Sequence, residues 1–344
     1  MDIKLLILKV GVLFIAMLPG LVMKKCKLCQ DTFGKGISNL ILYIAQPALI
    51  IQAYLSCESR FDEIWGLCLA TFILSIVVHV IFSAVSLSLF GKTPEDKRKM
   101  LRFATIFSNA AFMGIPLVKA ILGSEAAIYA SIYNITYNLF LWTLGVHLCT
   151  RREGEDMDGD GDSDMRDSLL SAHRAMKNEA SIKKVLVHPV TLASVIGLTA
   201  LIFGIGTFEL EMNGLSIINE SLSDLASLVA PLSMVVIGIR LADVKLKGMF
   251  NDVGMYVFLV MRHLVLPLSI IGVIFLSSTM GITVNETVST VILLLAAAPA
   301  AASATMFAEK YDCDAVYTSR LVVVSTILSI GTMPLIMLLA NSIL

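Results

Sequence analysis

Charged residues are scarce in this chain. Asp, Glu, Lys and Arg make up 15% of its 344 residues, while 57% are hydrophobic and the mean hydropathy is +0.83. About a quarter of the residues in a soluble domain are charged, so the composition excludes that class and predicts a polytopic protein surrounded by lipid bilayer. The net charge of −1 and the lack of a basic cluster argue against a nucleic-acid partner.

Cysteine chemistry and catalytic clusters are missing as well. The six cysteines form no disulfide framework, and Cys26 and Cys29 are a lone C-x-x-C pair without the second ligand pair that zinc would need. The sequence shows no nucleophile–base pair and no metal cluster. We therefore expect no cofactor, no metal and no enzymatic activity.

Carboxylates are absent from the centres of the apolar runs. The sequence contains ten such runs, each close to the roughly 20 residues needed to cross a bilayer. Carriers that exchange Na⁺ or H⁺ normally hold the cation on an intramembrane carboxylate, so this absence argues against a cation antiporter and favours an anionic substrate. The runs cover residues 4–23, 34–55, 64–90, 100–122, 125–149, 186–207, 220–242, 250–278, 285–308 and 315–342.

Lys and Arg are distributed unevenly among the connections. The connections after even-numbered runs hold only Arg60, and the other basic residues of the connections follow odd-numbered runs. By the positive-inside rule the odd connections are cytoplasmic and both termini are outside, as expected for a multi-pass protein of the plasma membrane. No small-residue cleavage site follows the first run, so we interpret it as a mature span and not as a signal peptide.

Three proline or basic residues inside apolar runs of the first half have a counterpart in the second half, each about 183 positions further along the chain. The pairs are Pro47 with Pro231, 184 positions apart, and His79 with Arg262 and Pro116 with Pro299, both 183 apart. Because five spans is an odd number, the second half would sit inverted relative to the first, as in the inverted repeats of transporters. The predicted units are a first five-helix repeat (1–149), an acidic cytoplasmic loop (150–185) and a second, inverted five-helix repeat (186–344).

The acidic loop contains a D-x-D-x-D-G stretch that begins at Asp156. This spacing matches the start of a calcium-binding loop, but position 12 is Asp167 and not the bidentate Glu of an EF-hand. We expect a solvated acidic linker, and weak calcium binding is the alternative.

Two segments interrupt the apolar runs with proline, small residues and polar groups. Proline has no amide hydrogen and clashes with the preceding turn, so a helix broken inside a membrane should face protein or a water-filled cavity. Two half-helices that meet at the midplane would aim their positive N-terminal ends at one point and favour an anion there. The candidate substrate-binding residues in the two segments are Ser108, Asn109, Pro116, Pro299, Ala300 and Ser303.

The fifth run adds two amides on one helical face. Asn134 and Asn138 are spaced i, i+4, with Tyr133 beside them. Amides in a membrane span should face the interior of the bundle, where they would bind substrate or cap a broken neighbour. Arg262 lies deep in the eighth run and would either contact the substrate or pair with Asp243 or a carbonyl.

Taken in order along nearly the whole chain, these residues resemble the auxin efflux carrier family, the plant PIN-type carriers and their bacterial relatives. The matching stretches are Asn109 to Gly123, His188 to Thr191, Ala230 to Leu232, Met261 to His263, Ala298 to Pro299, Phe307 to Tyr311 and Ser325 to Ser329. The resemblance implies ten spans in two inverted repeats, spans 4 and 9 crossing at their broken centres, and an elevator-like movement of a transport domain against a scaffold. It also implies homodimers and small organic anions as substrates, with Asn109 bonded to a substrate carboxylate.

The chain departs from the plant carriers in three places. Ser108 stands where they have proline, Ala300 where they have glutamine, and His188 and Val190 where they have asparagines. These changes, together with the short central loop, favour a bacterial-type member with a smaller substrate than auxin. His188 joins the candidate site residues on this basis.

The leading hypothesis is therefore an efflux carrier for mono- or dicarboxylates such as malate or malonate. Three alternatives stay open: an auxin (indole-carboxylate) carrier, a sodium-coupled symporter of the bile-acid type, and a non-transporting membrane receptor or scaffold. The exact substrate, the direction of flux and the coupling, whether to a proton, to sodium or to neither, are not determined by the sequence.

Overall fold

The computed structural model describes residues 3–30, 32–91, 93–150, 186–206, 216–244 and 252–344. These residues are helical almost throughout, and their one β-type pairing is an isolated antiparallel bridge between Ser108 and Ala300. The predicted all-α class is thus confirmed for the described part of the chain. The calcium-like stretch of the acidic loop lies outside the described residues.

The first half contains eight described α-helices, some of which continue into one another through a single wide π-helical turn. The π turns are Ile41–Ala45, Ala110–Gly114 and Leu141–Gly145. The helices are α1 (Ile3–Ile15), α2 (Leu18–Lys25), α3 (Phe33–Leu40), α4 (Gln46–Leu55), α5 (Phe61–Leu87), α6 (Glu95–Ile106), α7 (Ile115–Phe140) and α8 (Val146–Thr150).

The described residues of the second half have the same character, with a π turn at Met261–Val265. Its described helices are α9 (Pro189–Ile202), α10 (Ser216–Ser227), α11 (Val229–Asp243), α12 (Val253–Val260), α13 (Leu266–Thr279), α14 (Glu286–Ala297), α15 (Ser303–Lys310) and α16 (Ala315–Ile343).

Seven helical segments among the described residues are long and apolar enough to cross a membrane. Large apolar side chains such as Leu8, Val195 and Phe275 are exposed on these and neighbouring helices. In water such faces would be an aggregation hazard, whereas in a bilayer they contact lipid. The seven segments are Lys4–Lys25, Phe33–Leu55, Phe61–Leu87, Ala110–Thr150, Ile217–Asp243, Val253–Thr279 and Ala315–Ile343.

Polar residues at the helix starts define where the apolar segments begin. Asn285 accepts from the amides of Thr287 and Val288, and Asp314 accepts from the Tyr317 amide. These side chains satisfy amides that the first helical turn leaves without an intrahelical partner. The long helices α5 and α16 are apolar on nearly every side, which is the pattern of a membrane span and not of an amphipathic surface helix.

The helices pack in two groups. In one group α2 packs on α11, and α4 packs on α9 and α10; in the other, α5, α14 and α7 pack together, and α16 packs on α6 and α15. Glycines allow α2 and α11 of the first group to approach each other closely. A side chain at Gly20 would collide with the Val235 carbonyl, and one at Gly238 with the Met17 carbonyl. Small residues at such crossings are how membrane helices gain contact area without a hydrophobic driving force.

Candidate functional site

Two helices are interrupted at the same point of the molecule. α6 ends at Ile106 before the π turn at Ala110, and α14 ends at Ala297 before α15 begins. The two intervening segments run antiparallel: the Asn109 amide donates to the Pro299 carbonyl at 2.7 Å, and the Ala301 amide donates to the Phe107 carbonyl at 2.9 Å. The pairing satisfies main-chain groups that lipid could not.

We call the paired interruptions, residues 107–109 and 298–302, the crossing. The two prolines take different positions relative to it. Pro299 lies inside the interruption, and its carbonyl accepts the bond from Asn109. Pro116 is the second residue of α7, after a π turn in which the Gly114 amide donates to the Asn109 carbonyl at 3.0 Å. The helix therefore breaks earlier than Pro116 alone predicts, because the wide turn accommodates the missing amide hydrogen.

The crossing places four helix ends together. The C-terminal ends belong to α6 and α14, and their carbonyls carry partial negative charge. The N-terminal ends are at Ala110 and Ser303, and their first amides have no acceptor within their own helix. The C-terminal ends contact Arg262, and the N-terminal ends lie beside the side chains of the cavity.

Arg262 donates hydrogen bonds to the carbonyls at the negative ends of α6 and α14. Its side chain is fully buried, and its Nη1 donates to the Thr105 carbonyl at 3.1 Å. Its Nε and Nη2 donate to the Ala298 carbonyl at 3.2 and 2.7 Å, and Nη2 also reaches the Ala296 carbonyl at 3.1 Å. Of the two roles that the sequence allowed, Arg262 therefore takes the bond to a carbonyl, whereas Asp243 pairs with Lys24.

The positive ends face a cavity of about 500 Å³. Six of the candidate residues from the sequence line it: Ser108, Asn109, Asn134, Asn138, His188 and Ser303. Five others do not: Tyr133 and Arg262 are buried beside the crossing but outside the cavity lining, and Pro116, Pro299 and Ala300 shape the main chain. The Ala300 amide donates to Ser325 Oγ at 2.9 Å, which holds the interruption against α16.

Several buried amides in the cavity lack hydrogen-bond partners. Both polar atoms of the Asn109 side chain are buried and unbonded, as are Asn134 Oδ1 and Asn138 Nδ2. Gln46, which the sequence analysis did not identify, is fully buried with both amide atoms unbonded. The sequence feature that could have identified Gln46 is its position inside an apolar run, directly before Pro47. Buried polar groups without partners are costly, so this cluster is typical of a site completed by a ligand.

Aromatic rings form the rest of the wall, and sequence reasoning missed them. Phe112, Tyr137, Trp142 and Phe307 line the cavity, with the Trp142 and Phe307 rings 5.5 Å apart. The Tyr137 hydroxyl lies 3.4 Å from Ser303 Oγ. The cavity therefore combines neutral hydrogen-bonding groups at the crossing with an apolar wall, which suits a small molecule with a polar end.

Charged residues stand at one end of the cavity. Lys35 at the start of α3 pairs with Glu309 at the end of α15, with 2.7 Å between Nζ and Oε2, and both side chains are largely exposed. Lys310 lies over the Trp142 ring at 5.5 Å. Arg240 of α11 donates to the Ala302 carbonyl at the start of α15. This end of the cavity is thus where the two groups of helices touch through charged side chains.

Histidine 79, the counterpart of Arg262 in the first half, does not reach the cavity. Its Nδ1 lies 2.7 Å from the Ser75 carbonyl one turn earlier, and its ring stacks against Phe140 with centroids 5.1 Å apart. It is buried within an aromatic cluster, where it has a packing role.

Comparison with known proteins agrees with this picture. A family described as "Membrane transport protein" matches residues 5–337 of the chain. The chain is also similar to a protein of Methanothermobacter thermautotrophicus named "Uncharacterized transporter", with 24% identity over 325 residues that cover 93% of this chain and 94% of the relative.

Proposed function

Because the chain belongs to the membrane transport protein family, which includes the auxin efflux carriers it resembles, we propose that it is a secondary carrier of small organic anions. The expected substrates are mono- or dicarboxylates such as malate or malonate. One observation supports this most directly: two helix N-termini and the unbonded Asn109 amide face the same cavity.

The chemistry of that cavity favours an anion over a cation. Helix N-termini carry roughly half a positive charge each and offer free amide hydrogens. A carboxylate can accept from these amides and from Asn109 Nδ2, while its apolar part contacts Phe112 and Phe307. A metal cation would meet the same N–H donors with the wrong sign, and no group of three or more metal-ligating side chains occurs among the described residues.

The proposal includes ten spans in two inverted repeats that work as an elevator. Gly123, with φ of 88°, bends the long segment Ala110–Thr150 and would divide it into two spans. The cavity lies between α4, which carries Gln46, and the crossing that carries Asn109 and Ser303. These elements belong to the two different packing groups, so movement of one group against the other would carry the site across the bilayer.

We further propose that the protein lies in the plasma membrane with both termini outside. Lys35, Glu309 and Lys310 would then mark a cavity that opens to the cytoplasm. The exposed apolar side of α1, with Ile7 and Val12, would be available for the proposed homodimer.

A second candidate substrate is an aromatic monocarboxylate of the auxin type. The aromatic wall favours it, since rings stack well on Trp142 and Phe307. Phe307→Ala separates the two: it should weaken transport of indole-acetate by about two- to tenfold, the loss expected for one aromatic contact of 0.5–1.5 kcal/mol, and change malonate transport less, because malonate has no ring to stack.

Uptake into proteoliposomes tests the proposed function. Purified protein should accumulate labelled malate, malonate or indole-acetate, or give a current on a solid-supported membrane. Asn109→Ala should abolish most of the signal, while Asn341→Ala, at the exposed end of α16, should not. A folded sample that moves none of these carboxylates would contradict the proposal, as would a signal that survives in Asn109→Ala.

A further inference from the structure

Arg262 has a more specific role than that of a buried arginine stabilised by chance contacts. Its hydrogen-bond partners are three carbonyls, of Thr105, Ala296 and Ala298, and its guanidinium also lies over the Phe82 ring at 5.3 Å. The carbonyls come from two different helices, α6 and α14, which both end at the crossing. The guanidinium therefore sits where two negative helix ends converge.

Such a cluster of carbonyls is also a place for an alkali cation. In carriers with broken helices, unwound carbonyls and the C-terminal ends of half-helices coordinate the coupling Na⁺. Here the distances from the guanidinium to the three carbonyls are 2.7 to 3.2 Å, so its nitrogens fill that position. An ion could bind these carbonyls only if Arg262 moved away.

We propose that Arg262 is a built-in counter-cation that takes the place of a coupling sodium ion. It holds the negative helix ends neutral at all times, so that binding of the anion at the positive ends requires no Na⁺. This inference rests on the proposed carrier function and deepens it by assigning the coupling: transport is independent of Na⁺.

The side chain is suited to this task. Burying a guanidinium costs several kcal/mol, and charge-assisted bonds to carbonyls at two helix C-termini offset that cost. The planar fork of arginine can donate from Nε, Nη1 and Nη2 to separate helices, which a lysine ammonium on a flexible stem does less well. Arg262 also lies in the π turn Met261–Val265, and such turns are frequent at functional sites.

The first half of the chain supplies no second charge of this kind at the equivalent position. His79 corresponds to Arg262 by sequence offset, yet its Nδ1 contacts the Ser75 carbonyl of its own helix, and its ring packs on Tyr133. Arg262 is thus the cation that bonds to the C-terminal ends of both α6 and α14, whereas Arg240 bonds to the Ala302 carbonyl at the start of α15.

The first test uses the wild-type protein and needs no substrate. Its melting temperature is measured in NaCl, KCl and choline chloride at equal ionic strength. The expected result is the same melting temperature in all three salts, because Arg262 already fills the carbonyl cluster. A stabilisation specific to Na⁺, or an uptake that requires Na⁺, would overturn the inference.

Three variants then probe the cluster itself. Arg262→Gln removes the charge and should lose transport by about tenfold or more, as for a buried charge network that is broken; its melting temperature should now rise in Na⁺ relative to choline. Arg262→Lys keeps a charge and should retain part of the transport without a response to Na⁺. Arg60→Gln, an exposed arginine, is the control and should respond to no ion.

The outcomes separate the two proposals. If no carboxylate is transported, the carrier function fails, while the melting temperatures still report on the carbonyl cluster. A folded Arg262→Gln that transports like wild type, or that gains no response to Na⁺, overturns the role of Arg262. If Arg262→Gln does not fold, two results still test the role of Arg262. These are the melting temperatures of the wild-type protein in the three salts and the transport activity of Arg262→Lys.

Discussion

The side chain of Asn109 is only 2% exposed, and neither its amide nitrogen nor its oxygen has a hydrogen-bond partner. An unsatisfied buried polar group costs about 1–3 kcal/mol. An apolar residue at this position would be cheaper for the fold, so the asparagine is best explained by a partner that arrives from the cavity.

This reasoning predicts opposite effects on stability and transport at Asn109. Asn109→Ala should lower the uptake of carboxylates by roughly tenfold to a hundredfold, since one hydrogen bond to a charged group is worth about 1.5–3 kcal/mol. The melting temperature should stay the same or rise, because the variant removes an unsatisfied amide. Parallel uptake and thermal-denaturation measurements check both halves.

Asn109→Asp is the matched control for charge. It keeps the size of the side chain and adds a negative charge beside the expected carboxylate, so uptake at neutral pH should be lost more completely than in Asn109→Ala. Equal activity of the aspartate and asparagine forms would show that no anion binds at this position.

Sequence alone located some of these side chains and missed others for a physical reason. Asn109, Asn134 and Asn138 stand out because amides are rare in apolar runs. Trp142 and Phe307 do not, since aromatic residues are ordinary in such runs and only the fold brings them to one wall. For Arg262, the sequence left two roles open, and the carbonyls at the crossing decide between them.

At the scale of elements, three of the four π turns in the described part of the chain directly precede a helix with a proline at its second position; Leu141–Gly145 is the exception. The π turns at 41–45, 110–114 and 261–265 are each followed by a helix whose second residue is a proline. Proline removes an amide hydrogen and crowds the carbonyl four residues before it, and a wider turn relieves both problems. The prolines at Pro47, Pro116 and Pro267 therefore set the turn that precedes them.

Pro116→Ala should affect transport more than stability. Without the proline, the turn Ala110–Gly114 can tighten to an ordinary α-helical turn, which would rotate Asn109 away from the cavity. Proline costs about 3 kcal/mol inside a helix relative to alanine, so the melting temperature should hold or rise while uptake falls. Pro334→Ala is the control, because α16 continues through Pro334 without a π turn. Unchanged uptake in Pro116→Ala would argue against this coupling.

The glycines at the crossing of α2 and α11 allow a matched test of helix packing. An added Cβ at Gly238 would collide with the Met17 carbonyl, whereas one at Gly272 in α13 meets open space. Gly238→Ala should lower the free energy of unfolding by about 1–3 kcal/mol through overpacking. Gly272→Ala should stabilise its helix by roughly 0.5–1 kcal/mol. Thermal denaturation in detergent measures both, and equal effects would contradict the close packing.

Across the whole molecule, the family and the membrane class follow from sequence more readily than the shape of the spans. The apolar runs 186–207 and 285–308 are long enough to cross a bilayer, yet the structure has a 14-residue helix in the first and an interrupted pair in the second. Hydropathy measures only how apolar a stretch is, and it does not detect that Asn109 and Pro299 share a hydrogen bond across the chain. Long-range pairing of this kind needs the fold.

If the protein works as an elevator, the two groups of helices move against each other as rigid units. Lys35 of α3 and Glu309 of α15 form an ion pair across the end of the cavity. Because α3 packs on α11 in one group and α15 packs on α16 in the other, an elevator movement would separate the pair each time the site crosses the membrane. An exposed ion pair contributes at most about 1 kcal/mol, so neutral substitutions should change the rate of transport only slightly.

A covalent link between the same positions should instead stop transport. In a background without the six native cysteines, Lys35→Cys together with Glu309→Cys can be joined by a bifunctional maleimide. Uptake should then fall to background, while each single-cysteine variant treated in the same way keeps its activity. The cross-linked protein should still bind substrate, measured as a shift in melting temperature, because the cavity itself is intact. If it transports at the wild-type rate, the two groups do not move against each other, and a carrier mechanism with a fixed site would have to replace the elevator.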